Sequence, residues 1–375
     1  MGGPGAAAQA SPRAKIHGST PFEEFMATFP DFTLAAIQAA PVYFDRDAST
    51  EKACRLIEQA ARKGATLAAF SETWLPGYPF FHNSSRRTEA AADYLANAVE
   101  IPSPTTERLC EAAHDVGIDV VVGIVELDKR TRGTVYCTML FISREGKILG
   151  RHRKLKPTAT ERAVWGEGDG VGLTVYERPY GRISGLACWE HMMLLPGYTL
   201  MAQGTQIHIA TWPYPRTLFD FGGLLLSRAF ALQGSCYVMA VCSLLRPDDV
   251  PEAYRELTTE RDRNKAESGS CIIAPGGEVV AAASANEETI LTATVSLEAV
   301  LRSKARLDVG GHYSRPDVLK LLVNRGPLER VLDMSHADST NHGAVDVHTK
   351  DAFGVIEQET VGEVSMGHAR SPKSR

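Results

Sequence analysis

The run Gly185-Leu186-Ala187-Cys188-Trp189-Glu190-His191 puts a thiol where an apolar segment gives out and a polar turn begins. Upstream, Arg182-Ile183-Ser184-Gly185-Leu186-Ala187 has the short, apolar, small-residue character of a buried strand. Downstream, Pro196 suits the first turn of a helix and Gly204 is placed to close it. Open α/β sheets present reactive groups at the carboxyl ends of their strands. Cys188 therefore reads either as a nucleophile or as one more buried structural cysteine, and this segment alone leaves both open.

Working outward, strands and helices alternate. Strands are expected over residues 34–40, stopped by Pro41, and over 67–70, with Ser71-Glu72 at the end. Further strands fall at 119–126 and 134–142, rich in β-branched residues, the second turning through Arg144-Glu145-Gly146-Lys147 into 148–153 as a hairpin. Others are expected at 205–211, 236–241, 271–274 and 289–295, with a turn at Pro275-Gly276-Gly277. Helical spacing of Ala53, Leu56, Ile57 and Ala60 marks 50–63, closed by Gly64; Leu109, Ala113 and Val116 mark 106–116, and a third helix covers 221–234. No repeat at solenoid periods is present. This order argues α/β layers in one domain over 32–327, between a flexible N-terminal tail (1–31) and a polar C-terminal tail (328–375). Within the latter, Val345-Asp346-Val347 and residues 361–366 alternate enough to pair with a neighbour's edge.

Composition excludes several classes. In 375 residues, 44% apolar and 23% charged content permit a sizeable core. A net charge of −5 without a basic block invites neither nucleic acid nor an anionic membrane surface, and no run is long and apolar enough to span a bilayer. The start of the chain lacks the apolar core of a secretory signal. Seven scattered cysteines form no disulfide framework, so a reducing, cytoplasmic setting is expected.

Some motifs fail on context. Gly166-Glu167-Gly168-Asp169-Gly170-Val171-Gly172 imitates a dinucleotide loop but leads into a strand expected at 173–177, whereas phosphate cradling needs a helix N-terminus. The eleven histidines include no H-E-x-x-H pair, and no metal or other cofactor is called for. The charge-dense run 252–265 reads as a solvated loop. Two other stretches place polar residues at strand ends. In Phe70-Ser71-Glu72-Thr73-Trp74-Leu75-Pro76-Gly77-Tyr78-Pro79 an acid sits between a buried strand and an aromatic loop, which desolvates it and raises its pKa; a turn cap is the plainer alternative. In Arg151-His152-Arg153-Lys154-Leu155-Lys156, four cations would ordinarily be a solvated edge, yet Glu161 follows Lys154 by seven residues.

Together these three stretches resemble the nitrilase branch of the carbon–nitrogen hydrolase superfamily. S-E-T-W-L-P-G-Y-P is similar to its glutamate segment, H-R-K-L-K-P-T-x-x-E-R-x-x-W-G-E-G-D-G to its lysine segment and G-L-x-C-W-E-H to its nucleophile segment. Lys154 follows Glu72 by 82 residues and Cys188 follows Lys154 by 34. Met201–His208 and Gly311–Leu319 fit as well, so the likeness covers about residues 32–327. Ser71 departs from it, standing where the family usually has proline.

The resemblance implies a four-layer α-β-β-α sandwich that pairs across subunits and extends into spirals or filaments. It implies Glu72, Lys154 and Cys188 as a catalytic triad, with Glu161 as a second acid behind the lysine. A thiol attacks as thiolate, so a nearby ammonium is expected to lower the Cys188 pKa while a glutamate takes its proton. The substrate expected is an organic nitrile, aryl or arylaliphatic, in a pocket of Trp189, Tyr78, Trp165 and His191. An amidase or a cyanide-hydrating enzyme of the same superfamily is the alternative within it. Outside it stand an inactive filament-forming scaffold and a papain-like protease using Cys188 with His312, which lacks the expected sequence setting.

Overall fold

The computed structural model describes residues 29–84, 86–220, 222–258, 268–328 and 330–331. The first half of the chain runs β1 (Phe32–Gln38), α1 (Arg46–Arg62), β2 (Leu67–Ala69), α2 (Arg87–Ala96), α3 (Pro104–Val116), β3 (Asp119–Leu127), β4 (Val135–Ile142) and β5 (Ile148–Arg153). The second half runs β6 (Tyr176–Arg178), β7 (Gly181–Ala187), α4 (Leu194–Ala202), β8 (Ile207–Trp212), α5 (Pro215–Phe219), α6 (Gly223–Gly234), β9 (Tyr237–Cys242), β10 (Ser268–Ile273), β11 (Val279–Ser284), β12 (Thr289–Val295) and α7 (Leu297–Arg306). One compact unit extends to Leu328.

Two six-stranded sheets carry the fold, in the orders β12-β1-β2-β3-β4-β5 and β11-β10-β9-β8-β7-β6. β1, β2 and β3 are mutually parallel, as are β7, β8 and β9, and antiparallel strands complete each sheet. Strand side chains alternate between faces, and the packing follows that alternation. Leu34 and Ala36 enter the core between the sheets, against Ile209, Met239 and Ile272. Ala35 and Ile37 face outward to α1 and α3, where Ile57 and Leu109 cover them. On the far side, Leu186, Ala210 and Val238 pack against Leu200 of α4 and Phe230 of α6. The result is the expected α-β-β-α stack.

The helices start and stop for local reasons. The Asp45 carboxylate accepts the Ala48 N–H at the start of α1. Ser103 and Thr106 cap α3 reciprocally, Pro104 occupies its first turn, and Gly117 ends it at φ +70°.

Sequence periodicity missed α2, α5, α7 and β11; α2 and β11 are weakly patterned and α5 is a single short turn, but α7 is amphipathic, with Leu297 and Ala299 partly buried beside Val300. α2 buries only Ala90 and Tyr94, and β11 is an exposed edge with Ala283 as its one buried residue. The strand expected at 173–177 is displaced: Gly170–Gly172 forms a short 3-10 turn and the strand is Tyr176–Arg178. Of the charge-dense run 252–265, Glu252–Leu257 forms 3-10 turns that bury Tyr254, so that part is not simply a solvated loop. The rest of that run beyond residue 258, the segments 345–347 and 361–366, and residues 1–28 lie outside the described residues.

Gly123 of β3 sits directly under the glutamate segment. A Cβ there would lie 2.0 Å from the Ser71 carbonyl oxygen and 2.6 Å from the Thr73 nitrogen. Gly123→Ala is therefore expected to destabilise the fold by about 1–3 kcal/mol through overpacking, read as a lower urea midpoint at unchanged m-value, with Glu72 displaced and activity lowered.

Candidate active site

Three strand ends deliver the polar cluster. β2 and its extension, where the Phe70 N–H donates to the Val121 carbonyl, bring Glu72 inward. β5 brings Lys154, whose N–H donates to the Cys137 carbonyl on β4. The glycine loop lies on that same strand: Gly168 N–H donates to the Lys154 carbonyl, and a Cβ at Gly168 would sit 2.2 Å from the Arg153 carbonyl oxygen. It is a loop that supports the lysine. β7, in the other sheet, ends at Cys188, which opens a tight 3-10 turn, Cys188–Met192, at φ +54°, a strained value for a residue with a Cβ.

Lys154 is at the centre. Its Nζ donates to Glu72 Oε1 at 2.6 Å and to Glu161 Oε2 at 2.8 Å, and lies 5.4 Å from the Trp165 ring centroid. Glu161 is itself held, accepting from the Thr158 N–H at 2.7 Å and the Tyr78 hydroxyl at 2.6 Å. Oxygens of Glu72 and Glu161 and the Cys188 sulfur all lie within 4.8 Å of one another. That donor set would suit a cation, and the Lys154 ammonium already provides one. The second oxygen of Glu72, Oε2, is buried without a hydrogen-bond partner. Ser71 is buried beside it, and the departure from proline leaves the acid in reach of the lysine.

Electrostatics follow from burying three charges together. Burial pushes Glu72 up to about 7, with Lys154 pulling down and Glu161 pushing up. Burial works against the ammonium, but the two carboxylates hold the Lys154 pKa well above its usual value. Burial, then the Glu72 charge, lift the Cys188 thiol well above the usual thiol range, and Lys154 offsets only part of this. The expected lowering of the thiol pKa is thus corrected: the ammonium acts in that direction, and desolvation outweighs it.

Of the four pocket residues read from the sequence, Tyr78 and Trp165 reach this cluster and meet edge-to-face at 5.5 Å, with Tyr214 also edge-on to Tyr78 at 5.2 Å. Trp189 packs with the core of Leu186, Leu200 and Trp212. His191 lies behind Cys188. Its Nδ1 is 2.7 Å from the Cys188 carbonyl, which can only accept, so Nδ1 carries the proton. His191 Nε2 then accepts from His208 Nε2 at 3.0 Å, and His208 Nδ1 from the Ser184 hydroxyl at 2.9 Å. Both rings are neutral; burial lowers His191 to about 4 and His208 well below its ordinary value. His312 is exposed, unlike Cys188.

Two participants escaped the sequence reading. The Cys137 thiol donates to Glu72 Oε1 at 3.4 Å; the hairpin register, pairing Thr138 with Arg153, sets it beside Lys154. The Glu190 carboxylate is buried and joins both motifs through Ala187, Leu155 and His152.

The sequence profile of the carbon-nitrogen hydrolase family matches residues 33–304. A protein named Nitrilase 2, from an unknown prokaryotic organism, is 51% identical over 311 residues, covering 82% of this chain and 97% of that one. An aliphatic nitrilase of Sinorhizobium fredii (strain HH103) is 37% identical over 310 residues, 80% of this chain and 98% of its own. Among solved structures, Saccharomyces cerevisiae Nit3, a member of branch 10 of the nitrilase superfamily, superposes with a TM-score of 0.61 at 20% identity, over 76% of this chain and 96% of that one. The structural likeness speaks for the sandwich fold, and the sequence likeness over most of both chains speaks for the enzyme: this chain belongs to the nitrilase branch of the carbon–nitrogen hydrolases.

Proposed function

We propose that the chain hydrolyses an organic nitrile to its carboxylic acid and ammonia, with Cys188 as nucleophile, Glu72 as general base and acid, Lys154 as the cation that steadies developing negative charge, and Glu161 as the acid that holds Lys154. The observation that carries this reading is the buried contact of Lys154 with both glutamates beside the Cys188 sulfur. Cys188 rests as a thiol, so its proton passes to Glu72 as the sulfur attacks. A carbon–sulfur bond forms at the nitrile carbon, the proton reaches the nitrogen, and a thioimidate results. Water activated by Glu72 adds to give a tetrahedral intermediate. Loss of ammonia leaves a thioester, and a second water releases the acid and the thiol. Net, one nitrile and two waters give one acid and one ammonia. Breakage of the carbon–sulfur bond before loss of ammonia would give the amide instead.

For substrate, the rings of Tyr78 and Trp165 beside the charged cluster support an aryl or arylaliphatic nitrile. Trp189 and His191 would shape the site from behind the nucleophile. Since one relative is named an aliphatic nitrilase, the deciding experiment is a panel of phenylacetonitrile, benzonitrile, an aliphatic dinitrile and cyanide, with acid and amide both quantified. Preference for the dinitrile would overturn the aryl assignment, and cyanide as sole substrate would overturn nitrile hydrolysis.

Self-association belongs to the same proposal. α4 and α6 pack together and expose Leu194, Leu195, Leu225 and Leu232, flanking a cavity of about 440 Å³ lined by Tyr198 and Phe230. An apolar face of this kind supports pairing with a second copy. Seven unpaired cysteines, six of them buried, support a cytoplasmic setting.

Glu72→Gln keeps size and shape but cannot take a proton, so kcat is expected to fall by about 10³-fold, in the range of a lost general base, with little adduct on Cys188 by mass spectrometry. An adduct that accumulates normally would confine Glu72 to the hydrolytic half. Because the carboxylate is the working form and burial sets it at about 7, kcat/KM should decline as pH drops through about 7. A profile flat down to pH 5 would remove Glu72 from the base role. Leu225→Glu is expected to shift light-scattering mass toward smaller species, whereas an unchanged mass would place the contact elsewhere.

A further inference from the structure

We infer that Glu190 is a positioning residue: its single buried carboxylate fixes the nucleophile turn of one sheet against the lysine strand of the other. Oε2 accepts the Ala187 N–H at 2.7 Å, immediately before Cys188, and Oε1 accepts the Leu155 N–H at 2.7 Å, immediately after Lys154. His152 Nε2, two residues before the lysine, lies 3.1 and 3.0 Å from the two oxygens. Glu190 is 1% exposed and His152 is fully buried, so none of these contacts is shared with solvent.

The bridge joins the residues flanking both reactive groups. β7 and β5 belong to different sheets, and only side chains and loops can set the distance from Cys188 to Lys154 across that gap. The turn that carries Cys188 is strained, with φ +54°, and relaxes unless something holds it. Charge-assisted bonds from backbone N–H groups are short and directional, which suits this task. An amide in place of the carboxylate has one acceptor oxygen for two backbone donors, so its NH₂ faces an N–H and one side of the bridge opens. Aspartate is one methylene too short to reach both.

This inference rests on the proposed roles of Cys188 and Lys154, and its test needs no substrate. The rate of Cys188 alkylation by iodoacetamide, followed by mass spectrometry, is measured in the full chain, in Glu190→Gln, in Lys154→Gln and in the double variant. Glu190→Gln is expected to slow alkylation about tenfold when Lys154 is present and by less than about twofold when it is replaced, because the bridge acts by keeping the thiol within reach of the ammonium. Turnover of whichever nitrile the panel selects should lose about 100-fold in kcat with KM within about threefold. Equal effects in both backgrounds, a faster rate, or no change would each overturn the inference. If Glu190→Gln fails to fold, His152→Leu loosens the same carboxylate while both backbone donors remain. About threefold slower alkylation is then expected with Lys154 present, and an unchanged rate refutes the bridge. Alkylation that behaves as expected in a chain turning over no nitrile would sink the proposed reaction and leave Glu190 in its role.

Discussion

A lysine ammonium with no solvent exposure is held between two carboxylates, and the rest of the site is arranged to make that tolerable. Taking a cation out of water costs several kcal/mol, and only close, hydrogen-bonded counter-charges offset it. Two carboxylates and one ammonium leave a net negative charge in a dry place. Burial is what pushes Glu72 up to about 7 against the pull of Lys154, and burial together with the carboxylate charge keeps the neighbouring thiol protonated. Hydrogen bonding separates the two acids. Glu161 has its oxygens engaged by Lys154, Thr158 and Tyr78, whereas Glu72 keeps Oε2 uncommitted. The acid with a free oxygen is the one that can take a proton.

This division of labour depends on the stack of two sheets. Glu72 and Lys154 leave the ends of β2 and β5 in one sheet, and Cys188 leaves β7 in the other, so no single element holds the cluster. Glycines let the backbones approach: Gly123 beneath Ser71 and Thr73, and Gly168 against Arg153. Side chains then lock the approach, Tyr78 to Glu161 on one flank and Glu190 between the two motifs on the other. A protonated thiol at rest fits the proposed mechanism, in which Cys188 stays unreactive until a substrate brings an acceptor for the charge.

The sequence made the parallel strands and the α1 and α3 helices legible because each buries one face or both, and burial writes a period of two or of 3.6 into the residues. It was silent on α2 and β11, which bury one or two side chains each and so carry little period, whereas α7 has an apolar face, Leu297, Ala299 and Val300, that the reading passed over. The three motif segments were readable as polar residues at strand ends, and their gathering at one point needed the resemblance, because spacing along a chain does not say which sheets stack. Cys137 was hidden for a related reason. It reads as a small apolar residue in an apolar strand, and only the pairing of Thr138 with Arg153 brings its thiol to Glu72. The sign of the thiol shift was misread because a nearby cation was counted and the desolvation of the whole cluster was not.

The proposed substrate pocket and the charged cluster share a residue, and that constrains how specificity can vary. Tyr78 presents its ring edge to Trp165 and Tyr214 while its hydroxyl donates to Glu161. Replacing it with an aliphatic side chain would widen the pocket and would also strip one hydrogen bond from the carboxylate that holds Lys154. Trp165 is bound in the same way, since its ring covers the ammonium and its Nε1 donates to Tyr94. Specificity is more easily changed at positions of the proposed pocket that do not support the lysine, and Trp189, partly buried and packed on an apolar layer, is one of these. The aromatic residues closest to the chemistry are thus the ones least available for choosing the substrate.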